Sequence, residues 1–196
     1  MINRFNDYEK VQAFGERRFL PKGAYVLKIM GTKMGTSRNG NQYIRVSCDI
    51  ADGEYMGYYT ADFRSQTGDI NSKKWRCYTD VYVPKNDGTE QDANTKRRFK
   101  TFVTCLEHSN DGYEFDWNEE HWKGLLIGGL FNQKQYKKAD GKTGMYTQLK
   151  YTCSVDRVIA HDYRLPEDEL LEEDEESVSQ MMEDLGSAED DDSLPF

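Results

Sequence analysis

The last 32 residues, Leu165 to Phe196, hold fourteen Asp or Glu and not one Lys or Arg. They have too few apolar side chains and too much like charge to bury a core of their own. Any folded domain must therefore come from residues 1 to 164. The same segregation changes the meaning of the whole-chain net charge of -9. Of the 35 acidic residues, 21 stay in the first 164, against all 26 Lys and Arg, so that part is near +5 and the tail −14. A mildly basic body with an acidic extension suits a nucleic-acid binder with a partner-docking tail. The plainer alternative is a tail that only aids solubility.

Tyr, Phe and Trp make up 13 % of the chain, and 24 of the 25 precede the tail. That exceeds what a small core consumes, so some rings are expected to face solvent or a ligand. Cys48, Cys77, Cys105 and Cys153 are far apart, and His108, His121 and His161 are scattered. No zinc-site spacing exists, and no metal or cofactor is expected. The cysteines read as small buried hydrophobes in a reducing compartment. No signal peptide and no apolar run of membrane-spanning length is present, so the chain is expected in the cytoplasm, of a bacterial cell or a phage-infected host, without a membrane partner.

Hydrophobic periodicity gives the element order. Residues 1–22 read as an N-terminal arm or short helix, with Phe5, Tyr8 and Val11 at helical spacing. A strand is predicted from Gly23 to about Met34, then a turn at Asn39-Gly40. In the next strand Ile44, Val46, Cys48 and Ile50 share one face, and Tyr43, Arg45, Ser47 and Asp49 the other. Further strands are predicted at Tyr55–Phe63 and Trp75–Val83, and a helix at Thr95–Ser109 with Phe99, Phe102, Val103 and Leu106 as its apolar stripe. Two more strands follow, Gly124–Tyr136 and Met145–Cys153, joined by the basic tip 137–142. The first is apolar on both faces, and its Gly128-Gly129 pair suggests a bulge or sharp bend.

Strands, one helix, then two strands is the order of an OB-fold, a mainly β, five-stranded, partly open barrel with one helix between strands 3 and 4. A β-sandwich is the main rival. The expected organisation is an arm (1–22), an OB-fold single-stranded-DNA-binding domain (23–164) and a disordered acidic docking tail (165–196).

The chain ends in Asp190-Asp191-Asp192-Ser193-Leu194-Pro195-Phe196. This resembles the terminal motif of bacterial-type single-stranded-DNA-binding proteins, a run of Asp followed by Ile-Pro-Phe. Here Leu194 replaces Ile, and Ser193 separates the acids from the apolar end. The resemblance covers about seven residues and the tail composition; overall it points to the divergent members carried by phages and mobile elements. It implies coating of single-stranded DNA in replication, recombination or repair. It also implies recruitment of a helicase, polymerase, primase or recombinase through Asp190, Asp191, Asp192, Leu194, Pro195 and Phe196. The physical logic is independent of the family. A terminal Phe presents a ring and a carboxylate together, Pro195 restricts the backbone, and the aspartates steer the encounter with a basic rim.

Non-specific single-strand binders combine a positive groove with aromatic platforms for bases. On the predicted strands the candidates are Arg38, Tyr43 and Arg45; Tyr58 and Arg64; Lys73, Lys74, Trp75 and Arg76; and Lys137, Lys138, Lys142, Tyr146 and Lys150. Trp75 stands out, because one large ring sits among three cations. A core tryptophan opening a strand is the competing reading. Lys96, Arg97, Arg98 and Lys100 add a basic patch, read as lying at the helix start, where cations oppose the dipole.

No nucleotide-binding, hydrolase or metalloprotease motif is present. The acids around Trp117 (Asp111, Glu114, Asp116, Glu119, Glu120) lack the Asp/Glu-x-Lys pattern of a metal-dependent nuclease, so the chain does not read as an enzyme. Two other functions remain open: an OB-fold adaptor whose tail mimics a host single-strand binder, and a strand-annealing recombination protein. Self-association into a homo-oligomer also remains open.

Overall fold

The computed structural model describes residues 19–171 and the single residue Asn3. The predicted arm, apart from its last residues, and the C-terminal tip lie outside the described residues. Five strands form one antiparallel sheet in the order β3-β2-β1-β4-β5. They are β1 (Gly23–Thr36), β2 (Gln42–Ile50), β3 (Tyr78–Tyr82), β4 (Leu126–Lys137) and β5 (Thr143–Cys153). Helix α1 (Tyr58–Ser65) joins β2 to β3, and α2 (Glu90–Ser109) lies between β3 and β4. A 3-10 turn (Glu119–Trp122) precedes β4, and α3 (Val155–Ile159) follows β5.

β1 organises the sheet because it is long enough to serve two partners. Its first half pairs with β4 (Gly23↔Phe131 to Lys28↔Leu126), and most of its length pairs with β2 (Leu27↔Ile50 to Thr36↔Gln42). A register shift between Ile29 and Gly31 sharpens its coiling. The edges β3 and β5 approach each other, but no ladder joins them among the described residues, and the sheet stays partly open. The concave face buries Leu27, Ile29, Val46, Cys48, Ile50, Ile127 and Phe131. Trp122, fully buried, closes this core against Phe102 of α2, with ring centroids 5.2 Å apart.

The expected mainly β character and the single helix between the third and fourth strands are observed. Three local expectations are corrected. The first is the strand at Tyr55–Phe63, which is a turn followed by α1. The cause is Asp49, placed on the outward phase of β2 but buried in the fold. Its carboxylate accepts the N–H groups of Tyr59 (2.9 Å) and Thr60 (3.0 Å) and so caps the helix from another element. Gly57, at φ 73°, supplies the left-handed residue that turns the chain into it. Tyr55, Tyr58 and Tyr59 follow an i, i+3, i+4 spacing, a helical signal that aromatic β-propensity masked.

The second correction concerns α2, which begins at Glu90 rather than Thr95. Thr89 accepts the N–H of Asp92 as N-cap, and Glu90 and Asp92 complement the dipole in the first turn. The basic residues 96–100 therefore lie beyond the first turn and do not oppose it. The third is the glycine pair. Neither Gly128 nor Gly129 bends the chain at positive φ. An added Cβ would lie 2.7 Å from the Val158 side chain at Gly128 and 2.5 Å from Leu27 at Gly129. The pair admits close packing, and the bulge falls beside it, between Leu130 and Phe131.

The boundary at residue 165 also moves. The distal half of β4 runs past the start of β1 and leaves a free edge, which residues 167–171 occupy. Glu169 donates its N–H to Gln133 O (2.8 Å) and accepts from Gln135 N (2.8 Å), in a parallel bridge. Asp168 accepts the Gln133 N–H, and Leu171 donates to the Gln135 side chain. Backbone groups left unpaired by β1 thus recruit an acidic segment that composition alone assigns to the tail.

Candidate nucleic-acid interface

The convex face of β2 and β3 carries a connected row of rings and a cation. The register sets Tyr43 opposite Tyr82, Arg45 opposite Asp80 and Ser47 opposite Tyr78. The rings of Tyr43 and Tyr82 lie 5.9 Å apart. The Arg45 guanidinium sits 4.2 Å from the Tyr78 ring centroid and 5.4 Å from that of Tyr43. Tyr78, Arg45, Tyr43 and Tyr82 therefore form one continuous strip, with Tyr78 41 % and Tyr82 45 % exposed. Both Asp80 oxygens accept from Arg45 at 2.8 Å, and that bond raises the guanidinium pKa further above its ordinary value. The pair fixes the cation in plane between two rings.

Tyr43 is positioned by its other neighbour. It faces Gly35 across the β1–β2 ladder, and a Cβ there would come within 2.6 Å of the ring. The ring thus lies flat on bare backbone. Lys33 faces Arg45 across the same ladder and is exposed, and Arg38 is exposed at the hairpin tip, where Gly40 N bonds Ser37 O. Of the residues predicted from sequence, the strands bring Tyr43 and Arg45 together, with Arg38 beyond them at the tip. Tyr78 and Tyr82 lie in the predicted strand Trp75–Val83 but not among the predicted contacts, because that reading makes Tyr55–Phe63 the third strand of the barrel. The signal was present in the alternation Tyr78-x-Asp80-x-Tyr82.

The remaining predicted residues fall in two groups. Around α1, Trp75 is half-buried, packs against the core and donates its indole N–H to Cys48 O at 2.9 Å. It shares the inward phase of Cys77 and Val81, so its ring is a structural wedge and not an open platform. Tyr58 lies on α1, where it packs edge-on against Tyr55 and Tyr59 and rests against the core. Lys73 lies over Phe63 and donates to Arg64 O, Arg76 pairs with Asp62 at 3.0 Å, and Arg64 and Lys74 are exposed.

On the β4–β5 hairpin, Tyr146 meets Tyr136, a ring that sequence reading passed over, at 5.8 Å. Tyr136 lies over Gly144 just as Tyr43 lies over Gly35. Lys137, Lys138 and Lys142 are exposed at the tip. Lys150 is exposed but paired: Glu169 takes both it and Lys134, and Gln148 donates to the same carboxylate. The two ammonium groups hold the Glu169 carboxyl down to about 2. Lys22 pairs with Asp168 at 2.7 Å. Residues 167–171 thus lie as an anionic cover on the basic side of this hairpin.

Asp190, Asp191, Asp192, Leu194, Pro195 and Phe196 lie outside the described residues. Among the described residues, no group of three or more His, Cys, Asp or Glu is placed to hold a metal ion, and no helix is long and apolar enough to cross a membrane. No protein-family model matches the sequence, and no curated protein matches it.

Proposed function

We propose that this chain binds single-stranded DNA without sequence preference across β2 and β3, and recruits replication or recombination proteins through its C-terminal tip. The observation that carries the reading is the exposed strip Tyr78–Arg45–Tyr43–Tyr82. Every base has a π face, so stacked rings give affinity without sequence, while Lys33 and Arg38 supply positive charge for phosphates. Arg45 spends its hydrogen-bonding fork on Asp80, so it acts as a flat cation and leaves base edges unread. The connectivity supports an OB-type barrel: β1 central between β2 and β4, β2 bonded to β3, β4 to β5, and a helix between β3 and β4. In such folds the face of strands 2 and 3 is the usual nucleic-acid platform.

Titration of oligo-dT into the full chain and into a chain shortened to residue 171 tests both halves of the proposal. Binding with a strong salt slope is expected for both, and tighter binding without the acidic end. Removing only Leu194-Pro195-Phe196 should abolish capture of the partner enzyme and leave DNA affinity equal or higher. Failure of the shortened chain to bind oligo-dT at low salt would sink the DNA reading, and unchanged partner capture would sink the docking reading.

A further inference from the structure

The outward row of side chains on β3 begins before the strand does. Burial alternates from Lys74 to Tyr82: Trp75, Cys77 and Val81 face the core, while Lys74, Arg76, Tyr78 and Tyr82 are exposed. Backbone pairing follows the same line. Cys48 donates its N–H to Cys77 O at 2.9 Å, one step past the last β2–β3 pair. β2 ends at Ile50, and there the carboxamide of Gln66, just after α1, stands in for a strand partner. It donates to Lys74 O and accepts the Lys74 N–H, both at 2.9 Å. This exchange of two bonds with one residue reproduces an antiparallel pair and leaves the Lys74 side chain out of the pairing plane, in phase with Tyr78. Gln66 also donates to Asp62 Oδ2 (3.0 Å), and Asp62 Oδ1 accepts from Arg76 Nη1 (3.0 Å). The Arg76 side chain stays 53 % exposed, and Lys74 forms no ion pair among the described residues.

One extended segment therefore presents two cations and then two rings on the same side. Across the sheet the platform is shorter. Beyond Tyr43 stands Gly35 of β1, and β4 pairs only with Gly23 to Lys28 of β1, so no further strand continues the face there. Along the strands, by contrast, cations bracket the rings: Arg38 at the hairpin tip, Arg76 and Lys74 at the α1 end. We propose that the DNA strand lies lengthwise along β3, its bases on Tyr82, Tyr43 and Tyr78 and the phosphates beyond them on Arg76 and Lys74. The path rests on the single-strand reading above and adds to it a phosphate-binding subsite beside α1. Bases take ring faces and phosphates take positive charge, and the row offers them in that order. Trp75, between the two cations, keeps its ring inward, so this end holds backbone and stacks no base.

Oligo-dT of about 16 nucleotides, the upper end of what one such fold covers, titrated into the full chain over a range of salt concentrations, tests the path. Lys74→Gln with Arg76→Gln should lower affinity about tenfold or more at low salt and reduce the salt slope by about 1.4, two phosphate contacts at about 0.7 each. Lys74→Gln by itself removes no bond of the fold, so it should keep the parent's thermal midpoint and still reduce the slope by about 0.7. Arg97→Gln with Lys100→Gln makes the same change in net charge on α2, which packs on the core side of the sheet, and should leave the slope at the parent's value. A Lys74 and Arg76 variant whose slope equals the parent's, or falls no further than that of the α2 variant, overturns the path. If the parent binds and loses affinity on Tyr43→Ala with Tyr82→Ala, such a result leaves single-strand binding standing. A parent that does not bind oligo-dT overturns both.

Discussion

The convex β2–β3 face and the β4–β5 hairpin are built from the same parts and end in different states. Each lays a tyrosine flat on a cross-strand glycine, Tyr43 on Gly35 and Tyr136 on Gly144. Each pairs that ring with a second one, Tyr82 or Tyr146, and each has a carboxylate bound to a cation. The difference is where the carboxylate comes from. Asp80 is the cross-strand neighbour of Arg45, belongs to the sheet and leaves the rings open. Glu169 arrives from a segment beyond the sheet and holds Lys134 and Lys150 under it. An anion built into a face orders its cation, whereas an anion on a separate segment covers its cations and can be removed.

The largest expected effect separates the two faces directly. Replacing Tyr43 and Tyr82 together by Ala removes two stacking platforms worth about 1–3 kcal/mol each, so oligo-dT affinity should fall about 30-fold or more. The matching Tyr136→Ala and Tyr146→Ala pair should cost less than about fivefold by the same titration. Tyr136 and Tyr146 are as exposed as Tyr78 and Tyr82, so the difference rests on Glu169 holding the lysines beside them, and equal losses would erase it.

Trp75 marks where the open face ends. Trp75→Phe keeps the ring but removes the donor to Cys48 O, so stability should drop by about 1 kcal/mol in a denaturant melt. Oligo-dT affinity should stay within about twofold, since the ring is a wedge and not a stacking platform. A tenfold loss of affinity with unchanged stability would return Trp75 to the interface.

The smallest effect concerns the cover. Glu169→Gln, in a chain ending at residue 171, should free two lysines and steepen the salt dependence of oligo-dT binding by roughly 0.7 per freed lysine that meets a phosphate. The protonation of Glu169 provides a parallel reading. Its carboxyl sits at about 2 in the folded chain, below the ordinary range, because Lys150 and Lys134 bond to it. The cover's ion pairs are therefore intact above about pH 4.5 and are lost as the pH falls toward 2. Protection of the Gln135 amide, which bonds Glu169 O, should decline over that acidic window and hold steady from pH 5 to 8. An amide equally protected at pH 2.5 would show that the backbone bridge, and not the charge, holds the segment.

Much of this architecture is legible in the residues alone, because its signals are local. The alternation of Ile44, Val46, Cys48 and Ile50, the Asn39-Gly40 turn and the stripe Phe99, Phe102, Val103, Leu106 each place an element from neighbours a few positions apart. Tyr43 and Arg45 follow from the same alternation, since a strand with one buried face must present the other. The split between a basic body and an acidic end is likewise a property of the chain.

What only the tertiary structure decided depends on partners distant in sequence. Asp49 turns Tyr58–Ser65 into a helix by capping amides ten and eleven residues away. Cys48, 27 residues from Trp75, accepts its indole N–H and draws the ring inward. The free edge of β4 captures Glu167 to Leu171 across 35 or 36 residues. Periodicity reports which face a side chain takes within its own element. It carries no record of which unpaired backbone groups another element will leave, and those groups decide where a helix starts, which aromatic is buried and which residues of an acidic segment pair with the sheet.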